Sequence, residues 1–142
     1  MKIAIGSDHA GFELKEQLIA YLTEKKIEVN NKGCYSLDRA DYPDFGHAVA
    51  ISVLGKEVDF GILICGSGVG ISISANRHKK IRAALCFNKA IAKLARSHNN
   101  ANVICLGARF LKKKYALAIC KTFFTQKFDG QRHVARVEKL GL

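Results

Sequence analysis

The residues best suited to chemistry lie between Asp59 and Arg77, in the stretch DFGILICGSGVGISISANR. Cys65 closes an apolar run, Phe60 to Cys65, and Gly66-Ser67-Gly68-Val69-Gly70 follows at once. Such a run reads as a buried parallel strand, and the small and apolar residues beyond the glycines suit a helix packed closely on a sheet. A strand, a glycine turn and a helix N-terminus present backbone N–H groups and the positive end of a helix dipole above the strand. Cys65 sits inside that field, which favours a thiolate, and Ser67 adds a hydroxyl. The glycines run GxGxG rather than GxGxxG, and no Gly-Lys-Ser/Thr follows, so this is neither a dinucleotide fingerprint nor a P-loop. The turn promises an anion or oxyanion site without naming its ligand. Glycines that serve only close packing, and a cysteine buried as a small hydrophobe, fit the same residues.

Other candidates take their meaning from the elements around them. Lys2 to Ser7 reads as a first strand and Phe12 to Lys25 as a helix, with apolar residues at Phe12, Leu14, Leu18, Ile19 and Leu22. Asp8 and His9 then fall in a strand-to-helix loop, the kind that forms the ligand crevice of open α/β sheets; Asp8 also suits a helix cap. Ile27 to Asn30 is a short second strand. Asp41-Tyr42-Pro43-Asp44 leads into a helix from about Phe45 to Leu54, with Tyr42 placed either to pack or to reach a ligand. Lys80 to Phe87 is a fourth strand, Asn88 to Ser97 a helix capped by Asn88, and Asn102 to Leu106 a fifth strand. Asn99 or Asn100 suits the left-handed end of a helix, a reason His98 lacks. Leu111 to Phe124 and Gln131 to Leu140 complete the helices; Arg132 and Arg136, four apart, share a face and suit phosphate, although a solvated basic face has the same pattern. Strand alternating with helix predicts an α/β sandwich on a mainly parallel five-stranded sheet. No repeat or linker divides residues 1–142, so a single domain is expected.

The bulk composition excludes several classes. At 142 residues and 49% hydrophobic, the chain can bury one good core. It has no long apolar span and no leader-like N-terminus, so a cytoplasmic protein without membrane contact is expected. Five cysteines, an odd number with no CxxC pair and no zinc-type clustering, read as reduced thiols, so neither a metal site nor a dithiol redox protein is indicated. The net charge of +11 permits nucleic acid as a partner, yet aromatics are only 8% and do not interleave with the basic residues as in a single-strand binder. The charge equally suits a small phosphorylated metabolite.

Six motifs in order give a sharper reading: GSDHAG (6–11), DYPD (41–44), ICGSGVGISISANR (64–77), HNNANV (98–103), LGAR (106–109) and RHVARV (132–137). Together they closely resemble the sugar-phosphate isomerase family of type B ribose-5-phosphate isomerases and galactose-6-phosphate isomerase subunits, over essentially the whole chain. The resemblance implies a Rossmann-like three-layer α/β/α sandwich that forms homodimers or homotetramers with active sites shared between subunits. It implies cofactor-free, metal-free interconversion of an aldose and a ketose phosphate through an enediolate. By family pattern Cys65 is the base between C1 and C2, and Ser67 stands in an anion hole with the amides of Gly66, Gly68 and Gly70. Asp8 handles the sugar hydroxyls, His98 opens the furanose ring, Asn99 stands beside the enediolate and Tyr42 lines the pocket. His9, Arg109, Arg132 and Arg136 resemble the phosphate grip. Some members lack this cysteine and use a glutamate a few residues on; here Ser72 and Ser74 occupy that region, which leaves Cys65 as the base.

That chemistry fits the residue types on separate grounds. Proton abstraction beside a carbonyl needs a base near neutral pKa and donors for the oxyanion, and a phosphate bound remotely fixes the sugar against the base. Ribose 5-phosphate and ribulose 5-phosphate, intermediates of pentose phosphate metabolism, are the expected substrates. A six-carbon sugar phosphate (allose or galactose 6-phosphate) is the alternative. A non-catalytic binder of a phosphate ligand or nucleic acid would leave Asp8, Cys65 and His98 without roles.

Overall fold

The computed structural model describes residues 1–141. Among these, the elements run β1 (Lys2–Ser7), α1 (Phe12–Glu24), β2 (Glu28–Asn31), α2 (Tyr42–Leu54), β3 (Phe60–Cys65), α3 (Val69–Ala75), β4 (Ala83–Leu85), α4 (Lys89–Ser97), β5 (Val103–Gly107), α5 (Lys113–Thr125) and α6 (Arg132–Lys139), with a short 3₁₀ turn at His9–Gly11 between β1 and α1. The five strands form one sheet in the order β2-β1-β3-β5-β4, and every neighbouring pair is parallel.

The alternation of side chains along the strands divides the core in two. Ile3, Ile5, Ile62, Ile64, Ile104 and Leu106 point to one face and meet Leu14 and Leu18 of α1, Ala92 and Ala95 of α4, and Ile119 and Phe123 of α5. Ala4, Leu63, Cys65, Val103 and Cys105 point to the other and meet Val49 and Ala50 of α2 and Ile71 and Ala75 of α3. The result is three layers, helices over both faces of the sheet, as the resemblance implies. Such double covering makes the central strands near-continuous apolar runs. The chain leaves β1 toward β2 on one side and returns to place β3 on the other, so a crevice opens where the carboxyl ends of β1 and β3 meet. Their register pairs Ser7 with Ile64, which sets Asp8 beside Cys65.

Two elements differ from the sequence reading. The fourth strand, expected over Lys80 to Phe87, is only Ala83–Leu85. The Asn76 side chain takes both main-chain groups of Ala83, at 2.8 and 2.9 Å, and Lys80 adopts a left-handed φ of 73°, so the chain before Ala83 is tied as a loop. The second helix starts at Tyr42 rather than near Phe45, because Pro43 occupies its first turn, where a missing N–H costs nothing.

α2 and α3 lie in direct contact. A Cβ at Gly46 would overlap Ser74 Oγ and stand 3.1 Å from Ser74 Cβ and 3.3 Å from the Ile71 carbonyl oxygen. His47 Nδ1 and His78 Nε2, 2.8 Å apart, add a polar tie between α2 and the turn after α3. No helix among the described residues is long and apolar enough to cross a membrane. Forcing a side chain between the two helices strains both, so Gly46→Val should destabilise the protein by about 1–3 kcal/mol, read as a lower urea midpoint at unchanged slope.

Candidate active site

At the carboxyl ends of β1 and β3 lies an open cavity of about 200 Å³. Asp8, His9 and Ala10 line it from the loop after β1, Tyr42 from the first turn of α2, Cys65 from the end of β3, Gly66, Ser67 and Gly70 from the glycine turn, and Arg109 from the loop after β5. Eight expected site residues thus surround one space although they come from four separate parts of the chain.

The sulfur is held at the floor of this space. Cys65 is 4% exposed, and the Gly68 N–H donates to its Sγ at 3.1 Å. Gly68 makes this possible by a left-handed φ of 78°, and a Cβ there would lie 2.9 Å from the main-chain carbon of Leu106. Gly68 itself is buried and does not line the cavity. The turn is also less bare than its sequence suggests. The Gly68 N–H is committed to the sulfur and the Val69 N–H to Ser67 Oγ at 3.2 Å. Gly66, Ser67 and Gly70, which do line the cavity, are the residues left to offer main-chain donors to a ligand. Because Ser67 Oγ already accepts, its hydroxyl proton is available to donate outward.

The walls are positioned just as specifically. Asp8 Oδ1 accepts from the Gly11 N–H at 3.0 Å, the capping role expected of it, which leaves Oδ2 for a ligand. Nδ1 of His9 lies 3.2 Å from both the Ala40 N–H and the Ala40 carbonyl oxygen, so the loop before α2 holds the ring and Nε2 remains for the cavity. No sequence signal marked Ala40. The phenol of Tyr42 packs over Gly70, where a Cβ would lie 2.6 Å from Cζ. The Arg109 guanidinium lies over Gly66, where a Cβ would stand 3.0 Å from Cζ, and the Arg109 N–H donates to the Gly66 carbonyl at 3.1 Å. Every ion pair among the described residues is made by a lysine, so none of the described carboxylates pairs with Arg109, Arg132 or Arg136.

The remaining expected residues are elsewhere. α4 runs back across the sheet, so His98 and Asn99 lie at the amino end of β5, whereas Gly107 at its carboxyl end pairs with Cys65. The length of β5 separates them, roughly 15 Å at the usual rise of a strand. His98 and Arg132 line a second cavity of about 320 Å³ with Asp129, Gly130, Gln131 and His133. Asn99 lines a third space with Asn76 and Arg82, and Arg136 is exposed one turn further along α6. Within one chain, therefore, His98, Asn99, Arg132 and Arg136 do not face Cys65. The loop carrying His98 is anchored by Arg96, whose Nη1 donates to Asn100 Oδ1 at 2.9 Å and to the Ala101 carbonyl at 2.7 Å while its guanidinium lies over the Phe60 and Phe123 rings.

His98, Asp129 and His133 bring potential metal-ligand atoms within 4.8 Å of one another, the one such group among the described residues. Their surroundings suit an anion better than a dication. Arg132 lines the same cavity, and the Arg132 and Arg136 charges are among the causes that hold the His133 imidazole below its usual range, after burial and His98. Asp129 and His133 were not anticipated; His133 stood in plain view between the two arginines of RHVARV.

The other cysteines are sealed. Burial pushes the Cys86 and Cys120 thiols up to about 12 and Cys105 well above its ordinary value. No disulfide joins any of the five.

A family model described as Ribose/Galactose Isomerase matches residues 3–140. Ribose-5-phosphate isomerase B of Escherichia coli is 46% identical over 139 residues, which cover 98% of this chain and 93% of that one. The crystal structure of a ribose 5-phosphate isomerase from Thermotoga maritima superposes with a TM-score of 0.98 at 52% identity, covering 99% of this chain and 97% of the other. The type B ribose 5-phosphate isomerase of Trypanosoma brucei gives 0.94 at 45% identity, covering 99% and 96%.

Thiols kept protonated by burial do not alkylate. Iodoacetamide applied to the native protein at about pH 8 should therefore modify Cys65 while sparing Cys86, Cys105 and Cys120 until denaturant is added. Peptide mass mapping reads the order of modification.

Proposed function

The chain belongs to the ribose/galactose isomerase family and is an isomerase; from that premise we propose that it interconverts ribose 5-phosphate and ribulose 5-phosphate through an enediolate formed over Cys65. One observation carries the reading: Asp8, Cys65, Ser67 and Arg109 converge on a single cavity at the carboxyl edge of the sheet. In the open-chain aldose, the Cys65 thiolate removes the C2 proton and the electron pair moves onto O1. The same sulfur then returns the proton to C1 while O2 becomes the carbonyl oxygen. The Gly68 N–H aimed at Sγ favours the thiolate before the first step and again after the second. Donors from the Ser67 hydroxyl and the main chain of Gly66, Ser67 and Gly70 receive the enediolate oxygens; each such donor is typically worth about 3–4 kcal/mol in the transition state. The free oxygen of Asp8 takes the proton that moves between the sugar hydroxyls.

Ring opening and the rest of the phosphate grip come from a second copy. His98, Asn99, Arg132 and Arg136 lie at the amino edge of the sheet, where nothing in their own chain supplies a base for C2. A two-fold axis that sets one chain's amino edge against its partner's carboxyl edge completes two identical sites at once. The exposed apolar residues Val69 and Ile73 on α3, Phe87 just before α4, and Ile91 and Leu94 on α4 suit such a contact. The phosphate then lies between Arg109 and His9 of one chain and the α6 arginines of the other.

A coupled isomerase assay across ribose, allose and galactose phosphates identifies the sugar; turnover of ribose 5-phosphate well above the others is expected. Cys65→Ala should lower kcat by about 10²–10⁴-fold with substrate binding retained, and near-normal turnover by that variant would remove the sulfur from the mechanism. Arg132→Ala and Arg136→Ala should raise KM for the phosphorylated sugar. Mixing inactive Cys65→Ala with inactive His98→Ala under subunit exchange should restore about a quarter of the wild-type activity, because half the dimers are mixed and each has one intact site. No recovery on mixing would place each site within one chain.

A further inference from the structure

We propose that His133 is a positioning residue for His98, holding its imidazole in the orientation needed to open the sugar ring; this rests on the ring-opening reading of His98 given above.

The two rings are stacked, with centroids 4.2 Å apart and planes inclined by only 13°. His133 is 7% exposed and is the one buried residue of α6, whose other positions, Arg132 and Arg136 among them, are exposed or half-buried. The end of that helix is fixed in turn. The Asp129 N–H donates to the Ser97 carbonyl at 2.9 Å, next to His98, and the His133 N–H donates to the Gly130 carbonyl at 3.0 Å. The face of His98 is thus set by a ring whose own position is locked to the end of α4.

Flat stacking fixes the plane of the His98 ring but leaves its edge nitrogens free to meet a ligand. Ring opening breaks the C1–O4 bond, takes the proton from the O1 hydroxyl and leaves a proton on O4. A histidine that carries this proton must present an edge nitrogen in a fixed direction, and a small misplacement is costly. Burial, His98, Arg132 and Arg136 all push His133 toward its neutral form, against the opposing pull of Asp129. A neutral partner at this distance lets His98 gain and lose a proton without a second charge stacked upon it.

The test separates ring chemistry from enediolate chemistry. Ribulose 5-phosphate is acyclic, so exchange of its C1 proton with deuterated water needs the Cys65 cavity but no ring step, whereas net conversion of ribose 5-phosphate, which is supplied as a closed ring, needs both. Proton NMR follows each, in one sample started from ribulose 5-phosphate and one from ribose 5-phosphate. His133→Ala should slow net conversion on the order of tenfold while C1 exchange stays near the wild-type rate, and His133→Phe, which keeps a flat ring, should recover most of the loss. His98→Ala should show the same split. If His98→Ala shows it and His133→Ala slows both rates together, or neither, the positioning role is wrong and the ring-opening reading stands. If His98→Ala shows no split, the ring-opening reading falls and takes this one with it. Should His133→Ala fail to fold, His133→Phe against His133→Gln makes the same comparison, with the glutamine expected to split the rates and the phenylalanine not.

Discussion

A left-handed glycine fixes the geometry around Cys65. Gly68 turns the chain so that its N–H points back at the sulfur three residues earlier, and it does so against the main chain of Leu106, where no other residue fits. The turn, the cysteine and the strand beside them are consequently one rigid object. The loop after β5 holds the turn from outside, through the bonds from the Ala108 and Arg109 amides to the Cys65 and Gly66 carbonyls. That same bracing lays the Arg109 guanidinium across Gly66. The sulfur, the turn and the Arg109 guanidinium therefore share one frame.

The parallel sheet imposes a polarity on everything else. Each helix must carry the chain back to the amino edge before the next strand begins, so residues at helix ends and residues at strand ends are segregated by the length of a strand. Cys65 and Asp8 lie at one edge, His98 and the α6 arginines at the other. Within one chain the Cys65 cavity and the His98 cavity are therefore held apart by the sheet itself.

The fold was legible because strands buried on both faces and amphipathic helices leave strong patterns. β1, β3 and the Asn88 cap fell where the sequence put them, the cap accepting from the Ile91 N–H at 2.9 Å. β4 was overcalled because KIRAALCF has the composition of a strand, while the Asn76 and Asn102 side chains that claim its first residues act from a distance in sequence. That Asp8, Cys65 and the glycine turn would share one edge of the sheet was readable from the strand-to-loop pattern; where Asn99 and His98 would lie was not, since the direction of a helix across a sheet is a three-dimensional fact. The Ala40 groups that hold His9 belong to a main chain that any residue could supply. His133 was hidden differently: flanked by two arginines, it looked like part of a basic face, and only its burial sets it apart.

The contact between Gly46 and Ser74 has a reach beyond packing. Tyr42 opens the helix that carries Gly46, and Gly70 belongs to the first turn of the helix that carries Ser74, so the two walls of the cavity are extensions of a pair of rods pressed together behind it. An incoming molecule cannot widen the space by prising those rods apart. The position of these two walls is therefore fixed at a junction that no molecule in the cavity touches.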